Sequence, residues 1–515
     1  MTIQTSRRTF LKGATASAAT MLIVGLAPNG SIAVAAEPHN LAPFVKITPD
    51  GQVIAVIKHF ETGQGPVTGL ATLIAEELSI GIDEIDYEFA PSDATRYNNL
   101  AFGTIQLTGG STSLANSFLQ YRKAGAAARA VLLAAAAAEW GVDAKSLTIE
   151  KGRIVGAGRS APLSAFVAAA AAMKLPAEPA LKDPSRFRLI GNPEVRRKDT
   201  PPKIDGTAKY AMDVQLDGQM VVAIKRSPRY GGRVAAFDAA ASARVPGFID
   251  AKALPNGAGV AVYAEKTWAV FQARDLVEVT WDFSNAEARG SDQIRDEMLA
   301  AVNAPSQFTA TPDTDLAAIE AALKDAAKLV EGTFYVPMLA HAPMEPLTCT
   351  IEPAGGGIIL HDGCQAPTLP HMALSKVLGL DPAQIRINTM FAGGSFGRRA
   401  TPDADYQVEA GLAFAMTDRT RPVKLVWSRE DDITGGKYRP AFAHKVRVGL
   451  DADGRIVGWD HRICGQSIVK GTPLEERAVR GGVDRLSVEG VHGTHYAIPA
   501  MHVGLTDAKP ATTVL

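Results

Sequence analysis

Phe44-Val45-Lys46-Ile47, Pro49-Asp50-Gly51, Val53-Ile54-Ala55-Val56-Ile57 and then Gly63-Gln64-Gly65 set out the fold in one short stretch. Two apolar, β-branched runs split by a Pro-Asp-Gly turn predict a strand, a turn and a strand. The G-Q-G segment opens a helix whose apolar residues, Val67, Leu70, Ala71, Ile74 and Leu78, recur at helical spacing.

Outward from there the pattern repeats. Thr108-Gly109-Gly110-Ser111-Thr112 leads into a second helix with Leu114, Phe118, Tyr121, Gly125, Ala128 and Leu132 on one face, continued by Ala134–Ala138. Residues 166–173 predict a short helix before Pro176. Lys182 to Pro202 is polar, carries Pro184, Pro193, Pro201 and Pro202, and reads as a domain boundary. From Lys209 to Asp282 short β-type runs dominate (Val221–Ile224, Val260–Tyr263, Val277–Trp281), and residues 288–330 are acidic and helical in pattern. A third block has strands near Thr348–Ile351, Ile358–Leu360 and Lys424–Trp427. It also has a hairpin in which Asp451-Ala452-Asp453-Gly454 joins His444–Leu450 to Ile456–Trp459.

With 515 residues the chain has room for about three domains. A net charge of −1, 46% hydrophobic and 21% charged residues exclude a disordered chain and nucleic-acid binding through bulk positive charge. Cys349, Cys364 and Cys464 form no C-x-x-C, so an iron–sulfur cluster, a cysteine zinc site or a disulfide framework is not expected within the chain. Redox wiring would need a bound cofactor or another subunit. Ser6-Arg7-Arg8-Thr9-Phe10-Leu11-Lys12 precedes the small, apolar run Gly13–Ala27, and Ala33-Val34-Ala35 suits a signal peptidase. Residues 1–35 therefore read as a twin-arginine signal directing the chain to the periplasm. A Sec signal and a segment retained as an anchor are the alternatives.

Three glycine loops could hold one large ligand: Gly63-Gln64-Gly65, Gly109-Gly110-Ser111, and Gly393-Gly394-Ser395-Phe396-Gly397-Arg398-Arg399. Glycine lets a ligand approach the backbone, and successive N–H groups make an anion-binding concavity. The third loop is expected to open a helix capped by Thr401, with Pro402 first and Asp403 and Asp405 in its first turn. None is a Walker A or a dinucleotide fingerprint. Each alone reads as a tight turn; together they favour an extended polar ligand.

The same residues resemble a known family. Glu61-Thr62-Gly63-Gln64-Gly65, Thr68, Leu70 and Ala75-Glu76-Glu77-Leu78 resemble its E-M-G-Q-G…T…A-E-E-L segment. Thr108–Ser113 continues it, with Arg122, Ala124-Gly125-Ala126 and Ala128-Arg129 downstream. His341-Ala342-Pro343-Met344-Glu345-Pro346, Gly363-Cys364-Gln365-Ala366-Pro367, Gly393–Arg399 and Trp427-Ser428-Arg429-Glu430-Asp431-Asp432 follow in order. The chain resembles the molybdopterin-binding subunit of the xanthine dehydrogenase family, in its exported, isoquinoline 1-oxidoreductase-like form.

That resemblance implies an α+β fold of the aldehyde oxidase and xanthine dehydrogenase type. Residues 36–190 and 320–515 would form the molybdenum-cofactor domain, and 203–285 an inserted small hammerhead domain. It implies that Gln365 hydrogen-bonds the apical oxygen on molybdenum. The backbone of Gly394, Ser395, Phe396 and Gly397, with Arg398 following, would pass beside the metal and the pterin. Gln64, Gly65, Gly110, Ser111, Thr112 and Ser113 would surround the pterin dinucleotide. Molybdenum would be held through the pterin dithiolene and not by side chains. Two residues depart from the family pattern: Cys364 stands where threonine is usual, and Ser395 where glycine is.

The cofactor implied is molybdenum–molybdopterin cytosine dinucleotide, with [2Fe-2S] clusters in a small partner subunit and a c-type cytochrome or other electron acceptor after it. The family's catalytic Glu lies in a G-V-G-E motif that does not occur here, so the base is expected beyond Leu515 and the chain is expected to be incomplete and inactive alone. Glu345, Glu409 and Glu430 lie in other motifs and are not taken as the base. The expected function is the large subunit of an exported molybdenum hydroxylase that oxidises an N-heterocyclic aromatic or an aldehyde with water-derived oxygen. The alternatives are a truncated, non-catalytic remnant and an exported binding protein for another phosphate-bearing ligand.

Overall fold

The computed structural model describes residues 21–26, 32–33, 43–472 and 474–509. The arginine pair, Val34-Ala35 and the expected terminal strand at Thr513–Leu515 lie outside them. Two compact units make up the chain. Of the described residues, the first holds those up to 211 with 362–368 and 386–392; the second holds 212–361, 369–385 and those from 393 on.

In the first unit, β1 (Leu22–Leu26), β2 (Ile32–Ala33), β3 (Pro43–Ile47), β4 (Val53–Ile57) and β5 (Ile85–Phe89) form a sheet in the order β2-β1-β3-β4-β5. The Pro-Asp-Gly turn joins β3 to β4 antiparallel, with Val45 opposite Ala55. β4 and β5 run parallel, so the chain must cross over between them, and α1 (Pro66–Leu78) makes that crossover. Pro66 stands at the first helical position, and Ser79, in the left-handed region (φ 54°), stops the helix. The apolar row expected on α1 is buried throughout.

The second expected helix is interrupted. Thr112–Ala115 makes a single turn, and α2 (Phe118–Trp140) then runs without a break to Gly141, left-handed at its C-terminus. α2 lies close on α1 because Gly125 has no side chain: a Cβ there would sit 3.0 Å from the Ile74 carbonyl oxygen and from Glu77 Cβ. Leu114 faces Gly69 instead of continuing the α2 face.

The polar Lys182–Pro202 stretch does not end the first unit, which runs on to Ala211. Two buried carboxylates on α1 explain why. Glu76 accepts hydrogen bonds from the N–H groups of Arg188, Leu189 and Ile190 and pairs with Lys182 at 2.6 Å. Glu77 pairs with Arg122 and Arg129, both at 2.8 Å, and accepts from the Lys182 N–H. A buried carboxylate has to be paired and hydrogen-bonded, and the stretch supplies those partners.

In the second unit, Phe248–Ala253, Gly259–Ala264, Met220–Arg226, Val423–Val426, Thr348–Ala354 and Gly357–Asp362 are hydrogen-bonded neighbours in that order. Met220–Arg226 and Val423–Val426 pair in parallel, so strands of residues 203–285 continue directly into a sheet with later strands. A five-stranded sheet holds the expected hairpin, Phe442–Leu450 with Ile456–Gly465, flanked by Lys328–Val336 on one side and Met501–Asp507 on the other. Helices Ser291–Asn303 and Leu316–Lys324 cover it. No helix among the described residues is long and apolar enough to cross a membrane.

Candidate functional site

The G-Q-G loop is built around Glu61, which is fully buried. Its Oε1 accepts from Gly63 N–H (2.7 Å) and Gly65 N–H (3.2 Å), and its Oε2 from Val67 N–H (3.3 Å). Arg197 and Lys203 lie at 3.4 and 3.6 Å from the same carboxylate. Gly63 and Gly65 take φ of 110° and 93°, which a side chain would resist. The expected anion cradle is therefore filled by the chain's own carboxylate. Gln64 closes the loop: its Nε2 donates to the Phe60 carbonyl, and its Oε1 accepts from Thr62 N–H and Oγ1. Beside this loop Asp199 is buried; Arg197 and Lys203 outweigh that burial and hold its carboxyl down at about 2.

Gly110 and Ser111 are consecutive left-handed residues, φ 60° and 55°, and both are exposed. Asn99 Nδ2 donates to Thr112 Oγ1 (2.7 Å) and to the Leu107 carbonyl (3.0 Å), and Thr112 Oγ1 donates to the Gly109 carbonyl. Left-handed backbone at a non-glycine residue costs on the order of 1 kcal/mol and persists where surrounding bonds impose it. Gln365 belongs to the same unit. Its side-chain Nε2 donates to the Thr108 carbonyl at 2.7 Å, and its backbone carbonyl accepts from Thr108 N–H at 2.9 Å. Gly109 runs beside this amide: a Cβ there would lie 3.8 Å from that Nε2. Cys364 is buried, and the backbone at Gly363 passes too close to Ala392 for any side chain.

The third loop, in the second unit, is tied to His341–Pro346. Glu345 N–H donates to the Gly393 carbonyl (3.0 Å), and Gly393 N–H returns a bond to Glu345 Oε2 (2.9 Å). Arg399, fully buried, donates to Glu345 O (2.9 Å) and Oε2 (3.1 Å) and to Gly394 O (3.0 Å). Arg429 holds the other side, donating to the Pro343 and Met344 carbonyls. Both loops carry strain: Ala342 has φ 42° and Phe396 φ 58°, while Gly394 and Gly397 take 97° and 102°. Their tips are apolar and open, Met344 at 86% and Phe396 at 74% exposure. Burial, with Arg398 and Arg439 nearby, pushes the His341 imidazole down to about 4.

One expectation needs correction here. Thr401 does not cap a helix that opens at Pro402. Arg398–Ala400 forms a 3₁₀ turn, Ala404 is left-handed, and the helix runs Asp405–Ala415. Arg398 bonds the Asp405 carboxylate at 2.9 and 2.7 Å, which holds the helix start eight residues past Gly397. No α-helix therefore opens directly behind the glycines. Arg398 itself is buried, committed to Asp405 and set 5.3 Å over the Trp427 ring, so its charge is used inside the unit. Glu409 is likewise spent, on Arg226 and Trp427 Nε1. Sequence reading passed over His59, Asn99 and Arg197. The visible signal was Lys58-His59, two polar residues that end an apolar strand and are nevertheless buried.

The glycine-backed loop at Thr108 and the amide it holds at Gln365 give the first unit neutral hydrogen-bonding groups at this place. Residues 3–223 and 302–502 match the family profiles of molybdopterin cofactor-binding domains. The chain is 31% identical to the beta chain of isoquinoline 1-oxidoreductase from Brevundimonas diminuta, over 90% of this chain and 65% of that one. It is 27% identical to a membrane-bound aldehyde dehydrogenase [pyrroloquinoline-quinone] of Gluconacetobacter polyoxogenes (85% and 58%). With one of the subunits of nicotinate dehydrogenase from Pseudomonas putida it shares 26% identity (94% and 40%). The chain belongs to the molybdopterin-binding subunits of the xanthine dehydrogenase family, whose members are molybdopterin-dependent oxidoreductases. It spans between two fifths and two thirds of the length of these relatives.

Proposed function

We propose that this chain is the cofactor-binding part of the large subunit of a molybdenum hydroxylase acting on an N-heterocyclic aromatic or an aldehyde. The observation that carries the reading is the pair of bonds between Thr108 and Gln365, one from the side-chain amide and one to the backbone carbonyl, with Gly109 beside the amide. It gives a half-buried amide of fixed orientation, an uncharged donor suited to an oxygen ligand. The donor set fits the group: exposed N–H positions at Gly110 and Ser111, and hydroxyls at Ser111 and Ser113, suit the phosphates of a pterin cytosine dinucleotide. When bound, that group supplies two-electron oxidation with oxygen drawn from water. The residues of this chain would hold and orient it. None of Glu345, Glu409 or Glu430 is assigned as a base, since the first two are locked in ion pairs.

The three cysteines are buried and separate, so electrons would leave through a [2Fe-2S] partner subunit and then a cytochrome or other acceptor. The arginine pair favours twin-arginine export to the periplasm. Protein purified from its native host should contain molybdenum and release a cytosine nucleotide on acid hydrolysis. It should also bring down a smaller, cysteine-rich chain and reduce a dye with isoquinoline-type or aldehyde substrates. A preparation with neither molybdenum nor such a partner would overturn the reading.

A further inference from the structure

We propose that His59, acting through Thr108, is the positioning residue for Gln365. The proposal rests on the reading above only for what Gln365 faces. β4 runs on into Lys58 and His59, which are 4% and 1% exposed. Burying two such groups is costly unless each polar atom finds a partner, and here each does. Lys58 Nζ donates to the Asn98 carbonyl (3.0 Å) and to Gln120 Oε1 (2.5 Å). His59 bonds Thr108 Oγ1 through Nδ1 (3.3 Å) and Ser117 Oγ through Nε2 (3.1 Å). Hydroxyls can give or take a hydrogen bond, so a neutral imidazole satisfies both whichever nitrogen carries its proton. Burial and the neighbouring Lys58 push His59 down to about 3, which keeps the ring neutral.

Thr108 is where this buried chain meets the candidate site. Its hydroxyl bonds His59 and accepts from Phe60 N–H (2.9 Å), while its backbone N–H donates to the Gln365 backbone carbonyl and its own carbonyl accepts from the Gln365 side-chain amide. Residues 105–109 belong to no helix or strand. Side-chain bonds, from His59, Asn99 and Thr368 Oγ1, therefore set where the Thr108 carbonyl points. That carbonyl takes one N–H of the Gln365 amide and so fixes the plane of the rest. The side chain of His59 does not have to reach the site to control it.

The test uses the full-length protein from its native host, with Thr108→Val, Thr108→Ser and His59→Gln variants. Hydrogen–deuterium exchange of residues 363–368 and molybdenum per chain are measured on each. Thr108→Val keeps the volume but loses the hydroxyl, and exchange at 363–368 is expected to rise about tenfold, the worth of one buried hydrogen bond, with molybdenum content falling. Thr108→Ser keeps the hydroxyl and should match wild type in both. His59→Gln, the gentler change if the valine variant does not fold, should give an intermediate rise. Unchanged exchange at 363–368 in a folded Thr108→Val or His59→Gln protein overturns the proposal, as does a serine variant as loose as the valine one. Absence of molybdenum from the wild type would instead strike the functional reading, and the exchange comparison would still decide the coupling.

Discussion

Lys58 shows how one buried side chain can be read by titration. Burial brings its ammonium down to about 7 from the ordinary 10.5. In the unfolded chain it keeps its proton up to 10.5, so between these two values the unfolded state binds more protons and stability climbs with pH. The contribution is roughly 1.4 kcal/mol per pH unit from this residue. Urea unfolding of wild type and Lys58→Met at pH 7 and pH 9 should show the gap moving in favour of wild type at the higher pH. A gap that does not move would mean Lys58 stays charged in the fold. Gly394 is tested differently. At φ 97°, with Pro343 Cβ 3.3 Å from where a Cβ would sit, Gly394→Val faces strain and crowding together. A loss of about 1–3 kcal/mol is expected, and with it most of the molybdenum measured in the native-host protein. The Gln365 and Gly394 motifs stand out in the sequence because they are short and contiguous. His59 was not, because its partners Thr108 and Ser117 lie about fifty and sixty residues on and no spacing rule joins them.

Helix α1 carries two different surfaces, and only one follows from periodicity. Val67, Leu70, Ala71, Ile74 and Leu78 mark the apolar side in the sequence itself. Glu76 and Glu77 lie within the same helix, and nothing in an A-E-E-L string reveals that both are buried. Their partners are a polar strap about 110 residues later and two arginines on α2. Glu76→Gln removes the charge that gathers three N–H groups and Lys182, so the strap should loosen. Trypsin cleavage at Arg186 and Arg188 is expected to speed up while α1 stays folded by circular dichroism; unchanged cleavage would make the carboxylate dispensable. The α1–α2 contact fails in another way. Gly125→Leu drives a side chain into the Ile74 carbonyl, and thermal or urea unfolding should show a loss of about 1–3 kcal/mol. The helix after Gly397 was misread at this scale for a physical reason: Thr-Pro-Asp has the composition of a cap, but Arg398 takes the Asp405 carboxylate and sets the start further on.

Across the whole molecule, linear order conceals that residues 362–368 and 386–392 return to the first unit, while the chain between them stays with the second. That return brings Gln365 to Thr108, 257 residues earlier, a pairing no local pattern predicts. The N-terminal segment raises the same kind of question. Its composition reads as an export signal, yet Leu22, Val24 and Leu26 are buried in the first unit's core, and β1 pairs with β3 through Val24 and Val45. Twin-arginine export would depend on the guanidinium pair, so an Arg7→Lys, Arg8→Lys variant, which keeps the charge, should stay in the cytoplasm. Equal periplasmic yield would argue against that route. Removal of residues 1–35 would then strip β1 and β2, leave β3 as an open edge and uncover the apolar faces of Val45 and of α2. If the chain is exported, its mature form is expected to keep Leu22–Leu26, with an intact mass and N-terminal sequence that place its first residue before Leu22. A chain beginning after Ala35 that melts at the same temperature as the full one would show that β1 adds nothing to the fold.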